Sequence, residues 1–201
     1  VTPSSTRVRS SAEAPGRLDR DVLVRATLGL VDRFGVTRFT MRMLGEELGR
    51  SAMATYRHVG SKDELVALAA DAVLAEIEVP EADAGTPRER LRILTQNTFL
   101  QMAEHPWVAP FLLNLGRNMP NAERVFGALV AILAEVEPNR DRARLGAGAI
   151  RAYLIGWLAG SGLGHPVLAD AERGPGLSAA GQAQFDFGLD AMIVGILVSV
   201  S

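Results

Sequence analysis

The chain has 201 residues, 48% of them hydrophobic, which is enough to bury a substantial core and too apolar for an intrinsically disordered composition. It contains no cysteine, which excludes disulfides, thiolate nucleophiles and cysteine-held metals and fits a reducing compartment. The net charge of −2 argues against indiscriminate polyanion binding, yet residues 1–65 carry 11 basic and 8 acidic side chains while residues 66–201 carry 10 and 15, so any attraction to a polyanion sits in the N-terminal third.

Residues 1–17, "VTPSSTRVRSSAEAPGR", are polar and basic, lack an apolar signal core and read as a flexible arm. Asp19 caps a first helix whose Val22, Leu23, Ala26, Leu30, Val31 and Phe34 recur at spacings of three and four, and Gly35 ends it. Thr40 caps a second, "MRMLGEELG", closed by Gly49. Ser51 caps a short third over 52–58. Ser61 and Glu64 have capping-box spacing and open a fourth over 62–79, stopped by Pro80. Thr86 and Pro87 open a fifth, "TPRERLRILTQNTFLQMAEH". Pro110 makes "PWVAPFLLNLGRN" less regular. "NAERVFGALVAILAEVE" and "DRARLGAGAIRAYLIGWLAGSGLG" follow, then a loop over 165–178 and a last helix, "AAGQAQFDFGLDAMIVGILVSV". No stretch alternates with period two, so the expected fold class is all-α with about nine helices. "AMIVGILVSV" is too short to span a bilayer, and residues 145–164 carry Arg151 and several glycines, so no membrane span is expected.

Residues 40–59 give helix, glycine turn, short helix, the spacing of a helix-turn-helix. On the second of these helices Ala52, Met53, Tyr56 and Arg57 share one side, while Thr55 and Val59 face another, toward Leu44 and Leu48. Small Ala, soft Met, flat Tyr and cationic Arg make a poor solvent face and a good groove face. Ala52 admits the backbone, Met53 suits a thymine methyl, Arg57 suits guanine or phosphate, and the Tyr56 hydroxyl suits phosphate. Lys62, the single lysine beside 20 arginines, sits in the first turn of the fourth helix, where a cation is disfavoured unless a phosphate lies alongside.

Gly35, Thr40-Met41-Arg42, Leu44, Leu48-Gly49, Ser51, Tyr56, His58-Val59 and Lys62-Asp63-Glu64-Leu65 resemble the DNA-binding domain of the TetR family of bacterial transcriptional regulators, a likeness running from residue 18 to about 75. The resemblance implies a helix-turn-helix domain over 18–62 and a helical ligand-binding and dimerisation domain over 63–201. It implies DNA contacts by Thr40, Arg42, Ser51, Ala52, Met53, Tyr56, Arg57, His58 and Lys62, with Arg50 and Thr55 departing from the usual pattern. It also implies a cytoplasmic homodimer on a near-palindromic double-stranded operator, acting as a repressor released by a small hydrophobic effector. Arg7, Arg9 and Arg17 could add contacts from the arm. The alternative is a helical ligand-binding or interaction protein with no operator.

Beyond residue 80, Gly148, Ala152, Gly156 and Gly160 form a small-residue stripe, and the last helix offers Gly188, Ala191 and Gly195 beside Leu189, Met192, Ile196 and Val200. Two such helices per protomer could build a four-helix dimer interface. Phe99, Met102, Trp107, Phe111, Phe126, Tyr153 and Trp157, with polar Asn114, Arg117, His105 and Gln96, suggest an apolar pocket of drug-like size. His58, His105 and His165 lack metal-ligand spacing, and no phosphate loop or nucleophile elbow appears. Asp186 and Asp190, four apart on the last helix, read as a solvated or interface edge rather than paired catalytic carboxylates, so no catalytic residue, metal or cofactor is expected.

Overall fold

The computed structural model describes residues 19–114, 119–161 and 179–198, and nine helices hold most of them, with no strand among the described residues. They are α1 Arg20–Arg38, α2 Met41–Glu47, α3 Ala52–Tyr56, α4 Lys62–Ala75, α5 Pro87–Ala103, α6 Val108–Asn114, α7 Pro120–Ala134, α8 Arg140–Ser161 and α9 Ala179–Val198. The 1–17 arm with its three arginines, Arg117, the 165–178 loop, Val200 and the Asn114 side chain lie outside what is described.

The expected caps form. The Asp19 carboxylate accepts from Val22 N–H at 2.8 Å, the Thr40 hydroxyl from Met43 N–H at 3.2 Å, and the Ser51 hydroxyl from Ala54 N–H at 3.3 Å. Thr86 and Glu89 make a reciprocal capping box. At α4 Ser61 accepts from Glu64 N–H at 3.0 Å, but the Glu64 carboxylate reaches the N–H of Gly60, at 2.8 Å, one residue before the cap. Gly35 breaks α1 at φ 77°, and the chain then turns once more before Phe39 enters the core fully buried.

Several helices end earlier than their periodicity suggests, α3 and α4 for identifiable reasons. α3 ends at Tyr56 rather than residue 58, because Val59 is pulled into the core and His58 N–H closes a tight turn on Thr55 at 3.1 Å. α4 ends at Ala75 rather than residue 79, because the Arg124 guanidinium of α7 takes the carbonyls of Leu74, Ala75 and Ile77 at 3.0, 3.2 and 3.0 Å. A cation on those orphan carbonyls ends a helix as well as a glycine cap does.

Leu23, Leu30, Val31, Phe39, Leu44 and Leu65 fill the space between α1, α2, α3 and α4, and one continuous core carries on through Leu91, Leu94, Ile150 and Leu189. α4 packs on α1 at one side and on α7 and α5 at the other. The expected division at 62/63 therefore falls at the first turn of a helix that serves both halves. Polar ties reinforce this joint. The Asp71 carboxylate of α4 accepts from the backbone and side-chain amides of Asn121 at 2.9 and 2.8 Å. Asp32 of α1 accepts from the Trp107 indole at 2.7 Å and lies 2.9 Å from His105 Nδ1.

Asp186 and Asp190 are structural. Asp190 takes Arg92 of α5 at 2.8 Å, and Asp186 takes Gln96 at 3.2 Å, fastening α9 to α5. Gly188 serves the same chain, since a Cβ there would lie 2.2 Å from the Tyr153 hydroxyl. Leu189 and Ile193 are buried, which leaves Phe187, Ala191, Val194 and Val198 as the outward stripe of α9. Leu145, Ala149, Ala152 and Gly156 form that of α8.

Candidate nucleic-acid interface and apolar cleft

α2 and α3 meet through a turn that tolerates no side chain at Gly45. A Cβ there would lie 2.7 Å from the Arg50 carbonyl oxygen, and Arg50 N–H donates to the Gly45 carbonyl at 2.8 Å. Gly49 completes the turn at φ 61°, a conformation suited to glycine. Gly45 was not singled out from sequence, although a glycine inside a seven-residue helix is itself a signal of close approach.

This turn fixes which way α3 faces. Thr55 is fully buried, its hydroxyl donating to the Ala52 carbonyl at 2.6 Å, so the departure from an aliphatic residue leaves no unpaired polar group. Val59 is buried beside it. The opposite side carries Met53, 77% exposed, and Tyr56, 48% exposed, with Arg57 and His58 exposed and Ala52 half-buried. Ser51 is occupied as the cap of α3 and Thr40 as that of α2, so their remaining lone pairs and hydroxyl protons are what they can offer a ligand. Arg42 lies 3.3 Å from Glu46, an exposed pair one turn apart, which holds the guanidinium only weakly. Lys62 extends its ammonium to 5.8 Å from the centroid of the buried Phe39 ring. This cation–π contact gives a reason for a cation at the start of α4 that the sequence alone did not reveal.

The seven aromatic and methionine residues expected to line a pocket fall into three places. Phe99, Tyr153 and Trp157 surround Phe185, with ring centroids 4.4, 5.5 and 6.0 Å from it, and form packed core beneath α9. The Tyr153 phenol donates to the Phe185 carbonyl at 3.0 Å, and burial raises its pKa above the ordinary value. Trp107 and Phe111 pack edge to face at 6.0 Å where the body meets α1. His105 and Gln96, the polar candidates, are taken up by Asp32 and Asp186.

Only Met102 and Phe126 of that set line an apolar cleft, which opens between α4, α5, α7 and α8 against Leu74, Leu129 and Leu154. Its two hydroxyls are spent inside α5, Thr95 donating to Leu91 and Thr98 to Leu94 at 2.8 and 2.7 Å. The lining is therefore apolar in effect except for Arg151 at the edge. The cleft holds about 60 Å³ of free space, well short of the drug-sized pocket expected from the aromatic content. The aromatics that prompted that expectation pack on one another instead. Among the described residues no cluster of metal-ligating side chains occurs, and no helix is long and apolar enough to cross a membrane.

No protein-family model matches the chain. An HTH-type transcriptional regulator of Saccharopolyspora erythraea is 30% identical over 139 residues, covering 69% of this chain and 59% of that protein. The HTH-type transcriptional repressor DrrR1 of Streptomyces coeruleorubidus is 33% identical over 105 residues, covering 51% and 37%. The chain thus spans less than two thirds of the length of either curated relative. Among solved structures, a variant of TetR from Acinetobacter baumannii AYE in complex with minocycline superposes with a TM-score of 0.76 at 25% identity, over 92% of this chain and 99% of that one. With a buried helix-turn-helix core, an outward α3 and this likeness over nearly its whole length, the chain has the fold of the TetR family of transcriptional regulators and is similar in sequence to HTH-type regulators.

Proposed function

We propose that the protein is a cytoplasmic, ligand-responsive transcriptional repressor that binds a near-palindromic operator as a homodimer. The observation that carries this is the outer side of α3. Met53 and Tyr56 are the exposed apolar side chains of the helix-turn-helix, they stand beside Arg57, and the close approach at Gly45 sets α3 so that they face outward. Thr40 and Arg42 at the start of α2, His58 just past α3 and Lys62 at the start of α4 supply the phosphate contacts, while Ala52 lets the helix approach base edges. The reading has no catalytic component and needs no cofactor.

The outward stripes of α8 and α9 supply the dimer face. Phe187 is 77% exposed, Leu145 73% and Val198 67%. Among the described residues no side chain crowds Gly156 or Gly195, so helices of a second copy can approach closely there. A two-fold pair presents two copies of α3 to successive major grooves, roughly 34–36 Å apart.

The effector enters the apolar cleft. Because its free volume is far below the ~300–1,000 Å³ of a typical ligand site, loading it must part the walls. One wall is Leu74, in the last turn of α4. Asp71–Asn121 and the Arg124 cap make α4 follow α7, and the first turn of α4 adjoins α3 through Gly60 and Ser61. Displacing α4 thus alters the separation of the two α3 helices, and the effector weakens DNA binding by its differential affinity for the two separations.

Fluorescence anisotropy with duplexes from the DNA upstream of the protein's own gene, titrated at fixed salt, tests the reading. The expected result is saturation at two chains per site, with affinity falling as salt rises. Absence of binding to every such duplex, or saturation at one chain, overturns it.

A further inference from the structure

The rim of the cleft carries a second feature that the proposed function leaves unused. On α8, Arg144, Gly148 and Arg151 recur at spacings of four and three and so share one face. Both guanidinium carbons lie over the ring of Phe126 on α7, Arg144 at 5.5 Å and Arg151 at 4.5 Å from the centroid. Gly148, between them, meets no heavy atom of the described residues within 4 Å of where its Cβ would be. The result is an open groove floored by Phe126 and flanked by two arginines, with Asp141 at its end. Phe126 and Arg151 also line the apolar cleft, so groove and cleft adjoin at these two residues. Among the described residues neither arginine pairs with a carboxylate. A guanidinium drawn to the face of an aromatic ring still has five N–H donors, which are open to another partner.

Resting on the reading of the cleft as the effector site, we propose that the effector is an amphipathic anion. Its apolar body lies in the cleft against Met102, Leu129 and Leu154, and its carboxylate, sulfonate or phosphate group sits in the groove between Arg144 and Arg151. The two arginines against one aspartate leave the groove net positive. Among the described residues the one charged side chain touching the cleft is Arg151, so an uncharged or cationic head at that point would forgo a charge-assisted hydrogen bond or meet repulsion.

A matched pair of fluorescent probes separates the two parts. Anilinonaphthalene sulfonate and its uncharged parent, phenylnaphthylamine, share a ring system and differ in the anionic group. The full chain is expected to bind the sulfonate at least about tenfold more tightly. Arg151→Gln and Arg144→Gln should each weaken the sulfonate about tenfold and leave the parent unchanged, which also shows that the variants fold. Decanoate should displace the sulfonate while decanol at equal concentration does not. Ala122→Phe, which fills the cleft, should weaken both probes. Equal affinity of the two probes for the wild-type chain, or a sulfonate affinity indifferent to both arginine variants, overturns the anion subsite and leaves the cleft standing. Binding of both probes unaffected by Ala122→Phe, or of neither to the wild-type chain, removes the cleft as effector site and the anion subsite with it.

Discussion

Thr27 shows how much single residues decide in the N-terminal half. It is fully buried in α1, and its hydroxyl has no hydrogen-bond partner among the described residues, whereas Thr55, Thr95 and Thr98 all bond back to their own helices. An unpaired buried hydroxyl costs free energy that an isosteric methyl does not. Thr27→Val is expected to stabilise the protein by about 1 kcal/mol, read as a rise in melting temperature of about 2–4 °C, with operator affinity unchanged. A lowered melting temperature would contradict it. The outward side of α3 was legible from sequence because helical spacing puts Met53, Tyr56 and Arg57 together, opposite Thr55 and Val59, which are buried. The placement of Lys62 over Phe39 was not legible, because the contact crosses from the end of α1 to the start of α4 and neither helix's periodicity encodes it.

At the scale of elements, turns and ties set the geometry. Gly45→Ala places a methyl 2.7 Å from backbone oxygen, which no rotamer relieves. It should cost about 2 kcal/mol or more in unfolding free energy, measured by denaturant melts, and should reduce DNA binding along with it. Stability within about 0.5 kcal/mol of wild type would show that α2 and α3 can separate freely. In the body, the buried Arg90 of α5 holds Glu135, just past α7, through a two-pronged ion pair. The Arg90 hydrogen bonds keep the Glu135 carboxyl below its ordinary range, outweighing the opposite effect of burial, and the amide and hydroxyl of Thr86 do the same for Glu89. A folded-state pKa below the unfolded value means that the stabilisation is present above the unfolded carboxylate pKa of about 4.3 and is lost as pH falls through the folded one. Melting temperature should therefore drop on acidification through that range, and Glu135→Gln should flatten the drop. An acid limb identical in the variant would refute this assignment. Caps were readable in the sequence because each is local. The early end of α4 was not, because the group that ends it, Arg124, lies 50 residues away in a different helix.

At the scale of the whole molecule, sequence periodicity sufficed for an all-α chain but not for the partition of its apolar residues. Phe99, Tyr153 and Trp157 look like pocket wall and are packed around Phe185. Gly188 looks like dimer surface and is taken up by Tyr153. Helical spacing shows that a face exists, and only the packed structure shows which partner covers it. The stripe left uncovered, Phe187, Ala191, Val194 and Val198 with Leu145 and Ala152 of α8, is too apolar for a solvent surface. Phe187→Arg should convert the dimer to monomer in sedimentation equilibrium and lower operator affinity together, while a variant that stays dimeric would place the interface elsewhere. The claim on which everything else depends is that the outer side of α3 reads DNA. Its most direct test is the operator affinity of Tyr56→Ala and Arg57→Ala by fluorescence anisotropy at fixed salt, with circular dichroism and sedimentation confirming an intact dimer. Each variant is expected to weaken binding by about tenfold or more, the loss of about 1–3 kcal/mol that a good base or phosphate contact is worth. Wild-type affinity in both variants would contradict the account.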